Sequence, residues 1–359
     1  MVKFHSIKIG TLGNTADAFI SKKLFLEYKT KYSFPKKGDI LISASGTIGR
    51  AVIYDGKPAY FQDSNIVWID NDETLVKNDF LFYAYSNVKW NTEHTTILRL
   101  YNDNFRNTLI PIPPLNEQSA IANILSDLDR YLCTLDALIL KKEGVKKALS
   151  FELLSQRKRL KGFNQAWQKV RLGDIGKPCM CKRVMKHQTT RYGEIPFYKI
   201  GTFGNTADAF ISKKLFLEYK TKYSFPKKGD ILISASGTIG RAVIYDGKPA
   251  YFQDSSIVWI DNDETLVKND FLFYLLSNFD FKNFTSGSII PYIYFKDYKE
   301  KTIFLPPLNE QIAIANILSD LDNEITSLKN KKRQFENIKK ALNHDLMSAK
   351  IRILKKSVL

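Results

Sequence analysis

The loop Ser43-Ala-Ser-Gly-Thr-Ile-Gly-Arg50, repeated at Ser234–Arg241, carries the residue types that can approach a phosphate. Two glycines three apart let a backbone turn tightly. Ser45, Thr47 and Arg50 stand beside them as donors, and Ser236, Thr238 and Arg241 do so in the copy. No Gly-Lys-Ser/Thr follows the second glycine, so the loop is not a nucleotide-binding P-loop. A strand-to-strand turn that needs positive φ accounts for the same glycines. Lys22 and Lys23 open a tract of alternating basic and aromatic residues to Tyr32, which fits a phosphate backbone or a solvated basic face. Lys182-Arg183 is a further basic pair. Side chains able to read base edges lie in two other segments, with Arg99, Tyr101 and Asn102 in one and Thr285, Ser288 and Tyr292 in the other.

Catalytic chemistry is poorly represented. Asp17 with Glu27-Tyr-Lys29 echoes a nuclease triplet, but nothing in the pattern places Asp17 beside Glu27. Cys179-x-Cys181 with His187 lacks a fourth ligand at zinc spacing. GxGxxG, GxSxG, HExxH and Asn-Pro-Pro-Tyr are all missing from the sequence. The expectation is a reader with no catalytic, cofactor-binding or metal-binding residues of its own.

The elements that must position these candidates follow from an internal duplication. Lys8–Tyr83 recurs as Lys199–Tyr274, with only Leu12/Phe203 and Asn65/Ser256 differing. Pro113–Asp129 recurs as Pro306–Asp322, with only Ser119/Ile312 differing. Between these blocks, residues 88–112 and 279–305 are unlike, so a difference in what each copy reads would lie there. Trp167–Arg191 precedes the second copy and has no counterpart before the first, because Met1 aligns with Tyr192. The first domain is therefore expected to begin one or two elements late.

Short β-branched runs at 39–43, 51–54 and 66–69 read as strands. Asp55-Gly56 reads as a hairpin turn leading into Ala59–Gln62, and Asp79–Ser86 as a short helix. From Glu117 to Leu160 a helix of roughly 60 Å at ~1.5 Å per residue is expected. Its apolar residues Ile121, Leu125, Leu128, Leu132 and Leu135 alternate spacings of 4 and 3, as do Ile314, Leu318, Leu321, Ile325 and Leu328 in the copy. That is a coiled-coil seam, which an antiparallel pairing of the two helices would bury. The clustered lysines, Lys141-Lys142, Lys146-Lys147, Lys329–Arg333 and Lys339-Lys340, read as charges off the seam, with Arg157–Lys161 beyond them.

Composition sets the bounds. The chain has 359 residues, 54 Lys+Arg against 37 Asp+Glu and a formal net charge of +17, which favours a polyanionic partner. Its 44% hydrophobic content excludes wholesale disorder. No apolar run is long enough to span a membrane, no secretory leader is evident, and three cysteines fit a reducing cytoplasm. The fold class is α+β, with two β-rich domains (1–112 and 163–305) and two long helices (113–162 and 306–359) paired with pseudo-two-fold symmetry.

The order of domain, Pro-Pro-Leu-Asn-Glu-Gln helix, domain and Pro-Pro-Leu-Asn-Glu-Gln helix resembles the specificity subunit of type I restriction-modification systems. The motifs at 113–118 and 306–311 carry the resemblance, with Trp167…Val170-Arg-Leu-Gly-Asp-Ile175, Phe197–Gly201 and the block that opens at Gly38-Asp-Ile-Leu-Ile-Ser. It implies that each globular unit is a target recognition domain reading half of a bipartite sequence in double-stranded DNA. It further implies that the coiled coil docks two methyltransferase subunits, joined by restriction subunits. S-adenosylmethionine, ATP and magnesium would be used by those partners and not bound by this chain. Near-identity of the two copies implies half-sites that are partly alike. The competing reading is a coiled-coil scaffold whose globular ends bind acidic proteins.

Overall fold

The computed structural model describes residues 3–8, 11–13, 15–46, 48–61, 65–90, 99–100, 102–237, 239–281 and 299–353. The first repeat runs β1 (Lys3–Ile7), β2 (Ala18–Ser21), α1 (Lys22–Lys31), β3 (Ile40–Ser43), β4 (Ala51–Ile53), β5 (Ala59–Phe61), β6 (Ile66–Trp68), α2 (Asn78–Tyr85) and α3 (Asn102–Arg106). A 40-residue helix, α4 (Leu115–Leu154), follows. The second repeat opens with β7 (Gln168–Arg171), α5 (Leu172–Ile175) and β8 (Gly176–Met180), which precede β9 (Ile195–Tyr198), β10 (Ala209–Ile211) and α6 (Lys213–Lys222). It continues through β11 (Ile231–Ser234), β12 (Ala242–Ile244), β13 (Tyr251–Phe252), β14 (Ile257–Asn262), α7 (Asn269–Ser277) and β15 (Thr302–Leu305) to a second 40-residue helix, α8 (Leu308–Met347).

Among the described residues the first repeat builds two small sheets and the second builds three, β10-β9-β13, β12-β11-β14-β8 and β15-β7. In the first, β1 pairs antiparallel with β2 and parallel with β5, while β3 lies between β4 and β6. β3 is buried along its whole length because its Ile-Leu-Ile run is covered on both faces, as befits a central strand. The Asp55-Gly56 turn is not a hairpin. The strands on either side of it join different sheets, and β5 finds its partner more than fifty residues upstream in β1. The hairpin of this region is β3–β4, closed by the glycine loop at 43–50.

The chain divides into two compact units, residues 1–138 with 328–359 and residues 139–327. Each unit holds one β-rich domain, the first part of one long helix and the last part of the other. In the first unit the two helix segments run antiparallel, with Tyr131 against Phe335 at 4.7 Å between ring centroids and Lys332 paired with Asp136 at 2.6 Å. Ile121, Leu125, Leu346 and Met347 share a core there with Phe80 and Tyr83 of α2. In the second unit Lys142 pairs with Glu324 at 2.8 Å and Lys146 pairs with Asp322. Leu153, Ile314 and Leu318 pack there with Phe271 and Leu275 of α7.

The seam is thus present, with a gradation the spacing alone does not reveal. Ile121, Leu125, Leu135, Ile314, Leu318 and Ile325 are buried, whereas Leu128, Leu132, Leu321 and Leu328 are half-buried. Lys142, Lys146, Lys332 and Lys339 are not off the seam. They continue its 3-4 spacing, lay their half-buried stems along it and end on carboxylates of the facing helix.

Candidate DNA interface and helix junctions

The loop at 43–50 is built by local hydrogen bonds. The Ser43 hydroxyl accepts from the Arg50 N–H at 3.0 Å, and the Gly49 N–H returns to the Ser43 carbonyl at 3.0 Å. The copy repeats both bonds at 2.8 and 3.0 Å. Gly49 and Gly240 take φ of +83° and +84°, and a side chain there would collide with Trp90 in the first domain and Phe281 in the second. The turn geometry that the glycines permit is therefore real, whatever the loop contacts.

Both substitutions in the duplicated block lie against this loop. In the first domain the Ser45 hydroxyl donates to Asn65 Oδ1 at 2.6 Å, where the second domain has Ser256. In the second domain Arg241 Nη1 donates to the carbonyl of Phe203 at 2.7 Å, where the first has Leu12. Ser236 is half-buried, and Arg50 is exposed at the loop's end.

The structure brings two separate candidates together in the first domain. Arg99, exposed, forms an isolated antiparallel bridge with Ser45, and Leu100 N–H donates to the Ala44 carbonyl at 2.9 Å. Loop and divergent segment therefore form one surface. Lys22 and Lys23 are exposed on the first turn of α1, which is capped by Ser21 accepting from Leu24 N–H at 3.2 Å. Lys182 is exposed over the Tyr223 ring at 5.2 Å, and Arg183 Nε donates to Asp254 at 2.8 Å. Thr47, Tyr101, Thr238, Thr285, Ser288, Tyr292 and the side chain of Asn102 lie outside the described residues.

The weaker catalytic echoes dissolve into local pairs. Asp17 meets Lys8 at 3.4 Å and Glu27 meets Lys31 at 2.8 Å. Cys179 lies in β8 opposite Trp259, and Cys181 is in the second domain's core, where burial pushes its thiol up to about 12. Among the described residues no group of three or more His, Cys, Asp or Glu could hold a metal ion.

What the sequence reading missed is the chemistry of the Pro-Pro-Leu-Asn-Glu-Gln motif. Gln118 is buried and bridges helix to domain. Its amide oxygen accepts from Lys77 N–H at 2.7 Å, and its amide nitrogen donates to Leu75 and Pro113 carbonyls at 3.1 and 2.8 Å. Gln311 does the same to Lys268, Leu266 and Pro306. The glutamate before it fastens the start of each long helix to the chain just past the end of the other. Glu117 takes a two-pronged bond from Arg352 at 2.8 and 2.7 Å, and Glu310 takes one from Arg159 at 2.9 and 2.7 Å. Glu310 also accepts from the Trp167 indole at 3.1 Å. A third repeated device ties α2 and α7 to the seam. Tyr83 donates to Asp129 at 2.8 Å and Tyr274 to Asp322 at 2.9 Å. Lys339 and Lys146 each pair with that carboxylate and lie over the same ring. Burial first, and then the aspartate, raises both phenols above their ordinary range, so the hydroxyls remain donors.

The hydrogen bonds from Arg352 hold the Glu117 carboxyl below its ordinary range. A depressed folded pKa contributes stability above the unfolded value of about 4.3, lost as pH falls through the folded one. The thermal midpoint of the first unit is expected to drop across that acidic window, and to drop less in Glu117→Gln, as read by calorimetry at stepped pH.

A sequence model described as the type I restriction modification DNA specificity domain matches residues 3–142 and again 164–337. A Haemophilus influenzae protein named as a type I restriction enzyme specificity subunit is 41% identical over 276 residues, covering 75% of this chain and 70% of its own. The type I restriction enzyme MjaVIII specificity subunit of Methanocaldococcus jannaschii is 29% identical, covering 94% and 84%. The solved S subunit of M. genitalium superposes with a TM-score of 0.60 at 19% identity, covering 96% of this chain and 88% of that one. A chain from a type I assembly superposes at 0.54 and 16% identity, covering 96% and 91%, and both likenesses bear on the fold. These matches define a class, the DNA-recognition subunits of restriction-modification complexes. The chain belongs to the type I restriction-modification DNA specificity family. It is the non-catalytic subunit of an assembly with methyltransferase and restriction subunits on DNA. No helix among the described residues is long and apolar enough to cross a membrane.

Proposed function

We propose that each β-rich domain reads one part of a two-part DNA target through the glycine loop and the divergent segment beside it. The paired helices then dock two methyltransferase subunits, one for each unit. The observation that supports this reading is the repetition, in both units, of the same Gln, Glu–Arg and Tyr–Asp–Lys fastenings between domain and helices. The same fastenings in both units offer like docking surfaces to two copies of one partner. S-adenosylmethionine, ATP and magnesium enter through the partner subunits, in the cytoplasm where the DNA lies. Nearly identical loops with unlike neighbouring segments specify half-sites that are related but not the same.

Methylome sequencing of a host with and without the gene tests this reading. The expected result is a methylated motif of two specified parts separated by an unspecified gap, lost on deletion. An uninterrupted motif, or methylation unchanged on deletion, overturns it. Arg99→Ala is expected to relax discrimination at one half-site by about 1–3 kcal/mol while sparing the other, as measured by competition between single-base variants of the target.

A further inference from the structure

In the second unit, α4 carries an apolar stripe on the face turned away from α8. Lys142, Lys146 and Leu153 mark the face that meets α8 and the core. Leu140, Gly144, Ala148 and Phe151 follow one another at spacings of 4, 4 and 3, so they share the opposite side of the helix, and all are exposed. Leu140 is 69% exposed and Phe151 is 54% exposed, even with the Arg157 guanidinium 4.6 Å from its ring centroid. Glycine is unfavourable in a helix interior, and a Cβ on Gly144 would meet nothing within 4 Å among the described residues. Packing inside the unit therefore does not call for a glycine at this place.

Helix pairing does not call for the stripe either. The corresponding positions of α8 hold Arg333, Asn337, Ala341 and His344, of which only the alanine is apolar. A partner present in two like copies, one for each unit, would meet like surfaces, and this stripe occurs on one of the two helices. The stripe complements itself. When two copies of α4 cross antiparallel with Leu140 of each against Phe151 of the other, Gly144 comes opposite Ala148 beside the two-fold axis. The small pair lets the helix axes approach to about 8 Å, and the large pair closes each end. The same register matches charge. Lys141 of one helix comes beside Glu152 of the other on one flank, and Lys147 comes beside Glu143 on the other flank. Lys141, Lys147 and Glu152 make no ion pair among the described residues.

We propose that this face is the contact through which two copies of the chain pair, α4 against α4, around a two-fold axis. Leu140 and Phe151 supply the apolar contact, Gly144 and Ala148 the close approach, and Lys141 with Glu152 the register. A contact of four side chains from each copy is small, so the dimer is a weak one. The inference goes beyond the DNA reading and does not rest on it.

Analytical ultracentrifugation of the full chain without DNA, from about 1 to about 100 μM, reads the association. A monomer–dimer equilibrium is expected. Lys141→Glu sets a carboxylate against Glu152 on both sides of the axis and should weaken the dimer about tenfold. Adding Glu152→Lys restores opposite charges and should return the affinity to its starting value, which pairing with a chain of different sequence would not do. Gly144→Leu fills the crossing point and should also weaken the dimer about tenfold, while the melting temperature holds or rises because leucine favours the helix. A chain that stays monomeric over the whole range overturns the proposal, as does a dimer indifferent to Lys141→Glu and Gly144→Leu or one that Glu152→Lys fails to restore. If Gly144→Leu leaves dimerisation unchanged and abolishes uptake of a methyltransferase subunit, the face belongs to that subunit and the proposal is likewise overturned. Because no DNA is present, failure here leaves the DNA reading standing, and a failed methylome test leaves this one standing.

Discussion

Arg159→Ala is expected to lower the stability of the second unit by about 3–5 kcal/mol, the range for removing one partner of a buried ion pair. Glu310 is 0% exposed, and its carboxylate has three donors, two from Arg159 and one from the Trp167 indole. Deleting the guanidinium leaves a charged group in a place that water does not reach, with a single neutral donor. The arginine also ties down the Gln165 carbonyl at 2.9 Å, so the chain leading into β7 loosens as well. Arg159→Lys keeps the charge but not the fork and should fall between the two. Arg352→Ala, at the equivalent place in the first unit, should cost less, because Glu117 keeps some contact with solvent. Urea denaturation checks the series, and a loss below about 1 kcal/mol for Arg159→Ala contradicts a buried, paired Glu310.

Leu125→Asp is expected to leave the first unit unfolded at room temperature. Truncating a buried leucine to alanine costs about 2–5 kcal/mol, and an unpaired carboxylate in the same core adds several more. Leu125 is 0% exposed and packs with Phe80, Tyr83 and Leu346, so domain and both helix segments lose their common core together. Ile124→Asp, one residue away on the exposed face, should change stability by no more than about 1 kcal/mol. Leu128→Asp should fall between them, since that side chain is half-buried. Circular dichroism melts read the order, and an undisturbed Leu125→Asp would contradict the packing described for the first unit.

The gradation from Leu125 to Leu128 shows where sequence periodicity stops. A 4-3 spacing identifies the helix and its apolar stripe because helical geometry is local and repeats every few residues. It treats all stripe positions alike, whereas burial depends on what the stripe meets. Near Leu125 it meets a domain and a second helix. The same blindness put Lys142, Lys146, Lys332 and Lys339 off the seam. A lysine reads as solvated until an aspartate or glutamate about two hundred residues away is known to face it. Asp55-Gly56 was misread for a related reason. Two strands flanking a short turn look like a hairpin, but β5 pairs parallel with β1, and no local signal announces a parallel partner.

The sequence by itself determined the duplication, the α+β class, the two helices with their apolar stripes, and the family. Each of these is written in local periodicity, or in the comparison of one stretch of chain with another. Only the tertiary structure decided what the glutamate and glutamine of Pro-Pro-Leu-Asn-Glu-Gln are for. The glutamate has its partner in Arg352 or Arg159, and the glutamine has its partners on the backbone of its domain. Only the structure showed Arg99 bridged to the buried Ser45 of the glycine loop. These are pairings between residues far apart in the chain. The energy of a hydrogen bond or an apolar contact depends on which groups meet, and the order of residues along the chain does not state that until the chain is folded.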